Sequence, residues 1–120
     1  MRFEDLDAWK RARRLVRAIY GMSEKSLLAR DYGVKDQVRR AAVSVMSNLA
    51  EGFERTHAVE KIQMYKVARA SAGEVRSLLY VVEDQELADL DQLKVARQMV
   101  EETGSMITGL IRSTEKYVKK

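Results

Sequence analysis

Apolar residues recur at steps of three and four along most of the chain, which is the spacing of one face of an α-helix. The first such stripe predicts a helix from about Glu4 to Lys25. The second predicts a helix from Asp31 or Tyr32 to Glu51, with Asp31 as its N-cap and Gly52 as a left-handed stop. The residues of the two stripes are Phe3, Leu6, Trp9, Ala12, Val16 and Ile19, followed by Val34, Val38, Ala41, Val45 and Leu49.

The C-terminal half contains two further amphipathic stretches. Thr56 is the predicted N-cap of a third helix, which extends to about Leu87. Asp89 and Gln92 have the spacing of a capping box at the start of a fourth helix, whose apolar positions keep a heptad alternation. The predicted inward-facing residues are Val59, Ile62, Ala68, Val75, Leu78, Leu79 and Val82 in the third helix, and Leu93, Ala96, Val100, Thr103, Ile107, Leu110 and Thr114 in the fourth.

Four helices of similar length joined by short links favour an antiparallel, up-down-up-down four-helix bundle. The 120 residues suffice for one hydrophobic core but not for two, so we expect residues 1–120 to form a single all-α domain. The chain contains no proline, which agrees with long uninterrupted helices. The basic C-terminal end from Tyr117 to Lys120 is expected to fray.

The second helix is unusually rich in small side chains between Ala41 and Ala50, and the third helix repeats this feature between Ala68 and Gly73. Small side chains let two helix axes approach closely. Two arrangements fit the pattern. The patches face each other within the bundle, where Ser44, Asn48 and Ser71 exchange hydrogen bonds, or one patch faces a second copy of the chain.

Residue types used in catalysis and metal binding are scarce. The chain has no cysteine, and its single histidine, His57, lies in a predicted surface loop. We therefore predict no enzyme activity, no catalytic residue, no metal and no cofactor. No stretch of 18 apolar residues and no signal-peptide pattern occurs, so the predicted location is the cytoplasm, without a membrane partner.

Positive charge is concentrated in the N-terminal third, which makes an anionic partner plausible. Residues 1–40 carry eleven Lys and Arg against six Asp and Glu, whereas residues 81–120 carry six against eight. No aromatic residue interleaves the basic run, so contacts with phosphates and no base readout are predicted. A solvated helix face is the alternative interpretation. The candidate nucleic-acid-binding residues are Lys10, Arg11, Arg13, Arg14 and Arg17 on the first helix and Lys35, Arg39 and Arg40 on the second.

The segment QVRRAAVSVMSNLAEGFER, residues 37–55, resembles the core motif of the four-helix-bundle proteins encoded in intervening sequences of bacterial 23S ribosomal RNA genes. That motif has Gln, a basic pair, Ala-Ala, Ser, Ser-Asn, an aliphatic residue and Ala-Glu-Gly. Met46 and Ala70 depart from it, since the family usually has proline and often has glycine there. The matching residues assigned to helix packing are Gln37, Arg40, Ser44, Ser47, Asn48, Glu51 and Gly52.

The resemblance implies a bundle that assembles into a ring of five, a homopentamer, with no established enzyme activity. A related accessory protein of diversity-generating retroelements shares the fold and the ring, and partners a reverse transcriptase and nucleic acid. Two functions follow as expectations. The ring binds RNA or DNA through the basic surface of its first two helices, or it is a structural ring that serves a reverse transcriptase or another acidic protein as an accessory subunit.

Overall fold

Four α-helices make up most of the chain, for which the computed structural model describes residues 1–118. Helix α1 spans Asp7–Lys25, α2 spans Tyr32–Glu54, α3 spans Ala58–Asp84 and α4 spans Leu90–Glu115. Short 3₁₀ helices at Phe3–Asp5 and Leu27–Arg30 flank α1. Helices α1 and α3 each pack against both α2 and α4, in a bundle that measures 50 × 21 × 19 Å.

The predicted all-α four-helix bundle is confirmed, and no β-strand occurs between residues 1 and 118. The C-terminal end from Tyr117 to Lys120 was expected to fray, but the Tyr117 and Val118 amides are hydrogen-bonded to α4 carbonyls and Val118 packs against the core. Lys119 and Lys120 lie outside the described part of the chain.

A single hydrophobic core runs along the bundle between the four helices. Most predicted inward-facing residues are buried there, but Val59 is 54% exposed and Leu110 is half-buried, while its neighbour Ile111 is buried instead. Two threonines of α4 are also buried, and the Oγ1 atoms of Thr103 and Thr114 donate to carbonyl oxygens one turn earlier, each at 2.7 Å. These hydrogen bonds let polar residues lie in an apolar seam without an unsatisfied donor.

Two of the helix starts follow the sequence signals. The Asp31 carboxylate accepts a hydrogen bond from the Val34 amide at 3.2 Å, and the Asp89 carboxylate accepts one from the Asp91 amide at 3.5 Å. Both predicted N-caps are therefore confirmed. The complete capping box is wrong, because among the described residues the Gln92 side chain makes no return bond to the Asp89 backbone.

The other two starts differ from the predictions. Helix α1 begins at Asp7, because the extended backbone of Leu6 separates it from the short 3₁₀ helix that includes Glu4. Thr56 is not the N-cap of α3, since His57 occupies that position and its side chain makes no capping hydrogen bond.

The predicted stop at Gly52 is also wrong, because α2 continues to Glu54 and no described glycine has a positive φ. Gly52 is instead a point of close approach between helices. A Cβ at this position would lie 2.6 Å from Cε1 of Tyr65 and 3.0 Å from Cβ of Met64, both on α3. Only glycine lets the Tyr65 ring pack directly against the α2 backbone.

A left-handed residue of the kind predicted at Gly52 occurs instead after α3, where Glu86 has a φ of 52°. Helix α3 ends at Asp84, three residues before the predicted end at Leu87. The Leu87 amide donates to the Val82 carbonyl at 2.9 Å and the Glu86 amide donates to the Glu83 carbonyl at 3.0 Å, which is the pairing of a Schellman cap. The Leu87 carbonyl accepts from the Leu28 amide at 2.8 Å, so this cap also joins the two connections at one end of the bundle.

Candidate functional site

The outer surface of α1 presents four exposed basic side chains, Lys10, Arg13, Arg14 and Arg17, here called the α1 cationic face. The opposite side of the same helix is buried in the core, which directs these four residues to solvent. Within residues 1–118 none of the four forms an ion pair with a carboxylate. The face is therefore a concentration of cationic charge that internal pairing does not neutralise.

The remaining predicted nucleic-acid-binding residues have partners within the molecule. Arg11 lies on the α4 side of α1, where its Nη1 is 2.5 Å from Oε2 of Glu102. Arg40 Nε donates to Oδ2 of Asp36 at 2.8 Å in an exposed pair on α2. Such pairs keep the local charge near zero, so these two arginines contribute less to an anion-binding surface than the α1 cationic face does.

Aromatic rings lie beside several of the basic side chains, although none interleaves the basic run from Lys10 to Arg17. The Arg13 guanidinium carbon lies 5.8 Å from the centroid of the Trp9 ring, and Lys35 Nζ lies 5.0 Å from that of Tyr32. A third pair joins two helices, with the Arg39 guanidinium 4.2 Å from the Tyr20 ring centroid. Spacings of four and three residues could have indicated the first two pairs, whereas the third depends on how α1 and α2 pack.

A similar arginine–tyrosine pair lies between α3 and α4. The Arg97 guanidinium is 4.5 Å from the Tyr80 ring centroid and donates a hydrogen bond to Oε1 of Glu83 at 2.8 Å. That hydrogen bond lowers the pKa of the Glu83 carboxyl below its usual range. Unlike Arg39, Arg97 is therefore paired with a neighbouring carboxylate, and the pair as a whole is neutral.

The small-residue segments of α2 and α3 meet inside the bundle. The Oγ atoms of Ser44 and Ser71 are 2.9 Å apart, and Asn48 Nδ2 donates to the carbonyl and the hydroxyl of Ser44 at 2.8 and 3.0 Å. This contact is the first of the two predicted arrangements. Other small residues, Ser47, Ala70 and Gly73, are exposed and remain accessible to a second copy of the chain.

The residues of the family motif thus divide by environment. Those in the α2–α3 contact are hydrogen-bonded to one another or packed against the neighbouring helix, which fixes how the two helices pair. Gln37, Arg40, Ser47 and Glu51 are exposed, Ser44 and Asn48 are half-buried, and Gly52 is buried.

An apolar cavity of about 810 Å³ opens at the end of the bundle that contains the α2–α3 connection. Its wall includes Leu6, Phe53, Leu110 and Val118, and the Tyr65 ring forms part of its inner side. Tyr65 is only 2% exposed, and burial raises the pKa of its hydroxyl. The sequence did not indicate this cavity, because both chain ends and an interhelical turn contribute to it and no local pattern joins them.

Between residues 1 and 118 no group of three or more His or acidic side chains is arranged to hold a metal ion. His57 is exposed at the rim of the apolar cavity, in the connection where the sequence places it. No helix in this range combines the length and the apolar composition needed to cross a membrane.

A comparison with solved structures finds the same fold in another protein. A crystal structure of a protein with unknown function from the S23 ribosomal protein family of Bacteroides thetaiotaomicron superposes with a TM-score of 0.78. The match covers 87% of this chain and 97% of that one at 15% identity, which shows a shared fold and no more. None of the curated proteins matches the chain.

The sequence match is more specific than the structural one. A protein-family model covers residues 4–109, and this range includes the α1 cationic face and the whole α2 motif. The chain belongs to the 23S rRNA-intervening sequence protein family.

Proposed function

We propose that this protein is a non-enzymatic homo-oligomer of the cytoplasm that binds RNA or DNA through the phosphate backbone. The α1 cationic face carries this proposal, because its four exposed side chains have no ion-pair partner within residues 1–118. Neutralising phosphates with such side chains releases condensed counterions, and this release drives sequence-independent binding. Internal partners for Arg11 and Arg40 limit the contact to one side of α1.

Self-association raises the affinity of the α1 cationic face for nucleic acid, which is low in a single copy of the chain. Four cations neutralise only a few phosphates, which gives low affinity at physiological salt. The resemblance to ring-forming relatives suggests a homopentamer, in which five cationic faces act on one strand and raise the effective concentration of each contact. Exposed valines on α3 support a self-association interface on that helix. They are Val67 and Val81, which are 47% and 38% exposed.

Replacing Arg13, Arg14 and Arg17 together with glutamine tests the proposal. We expect about tenfold weaker binding of RNA or DNA near physiological salt, because each replacement removes one phosphate contact. The slope of log K against log salt becomes shallower by about 2 to 3 per bound protomer. Fluorescence anisotropy with a labelled oligonucleotide, measured across a salt series, gives both quantities.

The matched control removes the same charge elsewhere. Lys66, Lys94 and Arg112 are exposed on α3 and α4, and their replacement with glutamine leaves affinity and salt slope close to wild type. If the two triple variants lost the same affinity, net charge alone would explain the loss. The proposal fails if the wild-type protein binds neither RNA nor DNA at about 50 mM salt, where backbone contacts are strongest.

A second candidate function uses the same face for a protein partner. A cationic surface repeated around a ring also fits an acidic protein, and the family resemblance favours a reverse transcriptase with this chain as accessory subunit. Light scattering with and without nucleic acid separates the two functions. If the protein has a pentameric mass and this mass stays the same when nucleic acid is added, the protein partner is favoured. A monomeric mass would contradict the ring that both proposals use.

A further inference from the structure

The α1 cationic face leads into a set of exposed aromatic residues at the contact between α1 and α2. Tyr20 follows Arg17 by three residues on α1, so it extends the stripe that begins at Lys10. Tyr20 is 42% exposed, and the Arg39 guanidinium from α2 is stacked on its ring at 4.2 Å. A planar ring and a planar cation thus lie together beside the proposed phosphate contacts.

Hydrogen bonds hold this pair in place. Arg39 Nε donates to Oγ of Ser23 at 2.7 Å, and the same hydroxyl donates to the Ile19 carbonyl at 2.7 Å. Ser23 is fully buried, so the anchor of the guanidinium is part of the core. A stacking surface that is already ordered loses little conformational entropy when a ligand binds to it.

The surroundings of the pair offer further contacts. A shallow hollow of about 540 Å³ adjoins Tyr20 and Arg39, and it is also lined by Asp36, Arg40 and Val43. The apolar Val43 side chain therefore lies next to the stacked ring, beside Asp36 and Arg40, which pair with each other. At the start of α2 a second ring, Tyr32, is 74% exposed and has Lys35 Nζ 5.0 Å from its centroid.

The geometry points to single-stranded nucleic acid as the ligand of this surface, with unpaired bases stacking on the Tyr20–Arg39 pair and on Tyr32. This inference rests on the proposed function, since the α1 cationic face holds the backbone of the same strand. Bases in a duplex are stacked on one another and cannot reach the rings, whereas unpaired bases can. Stacking on aromatic side chains tolerates any sequence, because every base has a π-face.

Leucine at position 20 or 32 tests the inference, because it retains apolar bulk and removes the aromatic ring. We expect Tyr20→Leu and Tyr32→Leu each to weaken binding of an unstructured thymidylate oligonucleotide about tenfold. Binding of a duplex of equal length stays unchanged, since it uses only the phosphate contacts. Phenylalanine at position 20 restores single-strand binding, because the ring and not the hydroxyl is required. Anisotropy titrations at one salt concentration measure all of these affinities.

Tyr80→Leu is the matched control. Tyr80 is 56% exposed and stacks with Arg97 as Tyr20 does with Arg39, but Glu83 neutralises that arginine and the α1 cationic face lies elsewhere. Its replacement leaves both affinities unchanged. If the two leucine variants bind single strand and duplex as tightly as the wild-type protein does, the inference is overturned and the proposed function still stands. If the wild-type protein binds neither single strand nor duplex, both the inference and the proposed function are overturned. Because Tyr32 is largely exposed, Tyr32→Leu provides a test even if Tyr20→Leu unfolds.

Discussion

Polar side chains have opposite environments in the α2–α3 contact and on the α1 cationic face. Between α2 and α3 the polar groups are short, and Ser44, Asn48 and Ser71 are linked by hydrogen bonds of 2.8 to 3.0 Å. On α1 they are long and charged, and they extend into solvent without an ion-pair partner in residues 1–118. The first arrangement satisfies its polar groups internally, and the second leaves them available to a ligand.

The α2–α3 contact therefore contributes to stability, whereas the α1 cationic face contributes to the proposed binding. Paired and buried polar groups, together with close backbone approach, determine how α2 and α3 fit, so changes there alter the free energy of unfolding. Exposed cations add little to that free energy but generate a local positive potential. The two regions should therefore respond to mutation in different measurements.

Gly52→Ala is expected to have the largest effect on stability. Its new Cβ would lie 2.6 Å from Cε1 of Tyr65, so the ring or the whole of α3 must move. Overpacking of this kind costs about 1 to 3 kcal/mol, which exceeds the helix-propensity gain of alanine over glycine. Urea unfolding measures the loss, at a fixed protein concentration because an oligomer's stability depends on it.

Gly73→Ala is the control for that prediction. Gly73 lies inside α3, is exposed, and has no atom within 4 Å of where a Cβ would be placed. Alanine at this position gains about 0.5 to 1 kcal/mol from helix propensity alone. If both variants gained stability, the close approach at Gly52 would not be what excludes a side chain there.

A double-mutant cycle on Ser44 and Ser71 is expected to show a smaller effect. Each single change to alanine removes the hydrogen bond between the two hydroxyls, at a cost of about 1 kcal/mol, and Ser44→Ala also removes one acceptor of Asn48 Nδ2. The double variant should cost less than the two single variants together, because the bond between the two hydroxyls can be lost only once. Strictly additive losses in the unfolding free energies would indicate that the two hydroxyls do not interact in solution.

Much of the fold was readable from local sequence signals. The period of apolar residues predicted four helices, and the short side chain of Asp31 marked a helix start because its carboxylate reaches an amide three residues on. The hydrogen bond between Ser44 and Ser71 belongs to one of the two arrangements that the sequence left open for the small-residue patches. Each of these features depends on residues close in sequence or on one simple pairing rule.

The features that sequence reasoning missed depend on tertiary contacts. Gly52 looks like a helix stop until Tyr65, thirteen positions later, is known to pack against it. At the candidate site, the basic residues were identified but their partners were not. Whether Arg11 meets Glu102 and whether Arg39 meets Tyr20 depends on how α1 is rotated between α4 and α2, which periodicity defines only approximately.

The smallest stability effect is expected on the α1 cationic face. Lys10 and Arg14, and likewise Arg13 and Arg17, are like charges four residues apart on one helix, which repel each other slightly. Glutamine at positions 13, 14 and 17 should therefore raise the unfolding free energy by about 0.5 kcal/mol at low salt, and the gain should vanish at about 1 M salt because the charges are screened. Paired urea titrations at the two salt concentrations measure this difference. A loss of several kcal/mol would mean that these arginines hold the bundle together, and the distinction between a stabilising region and a binding region would no longer apply.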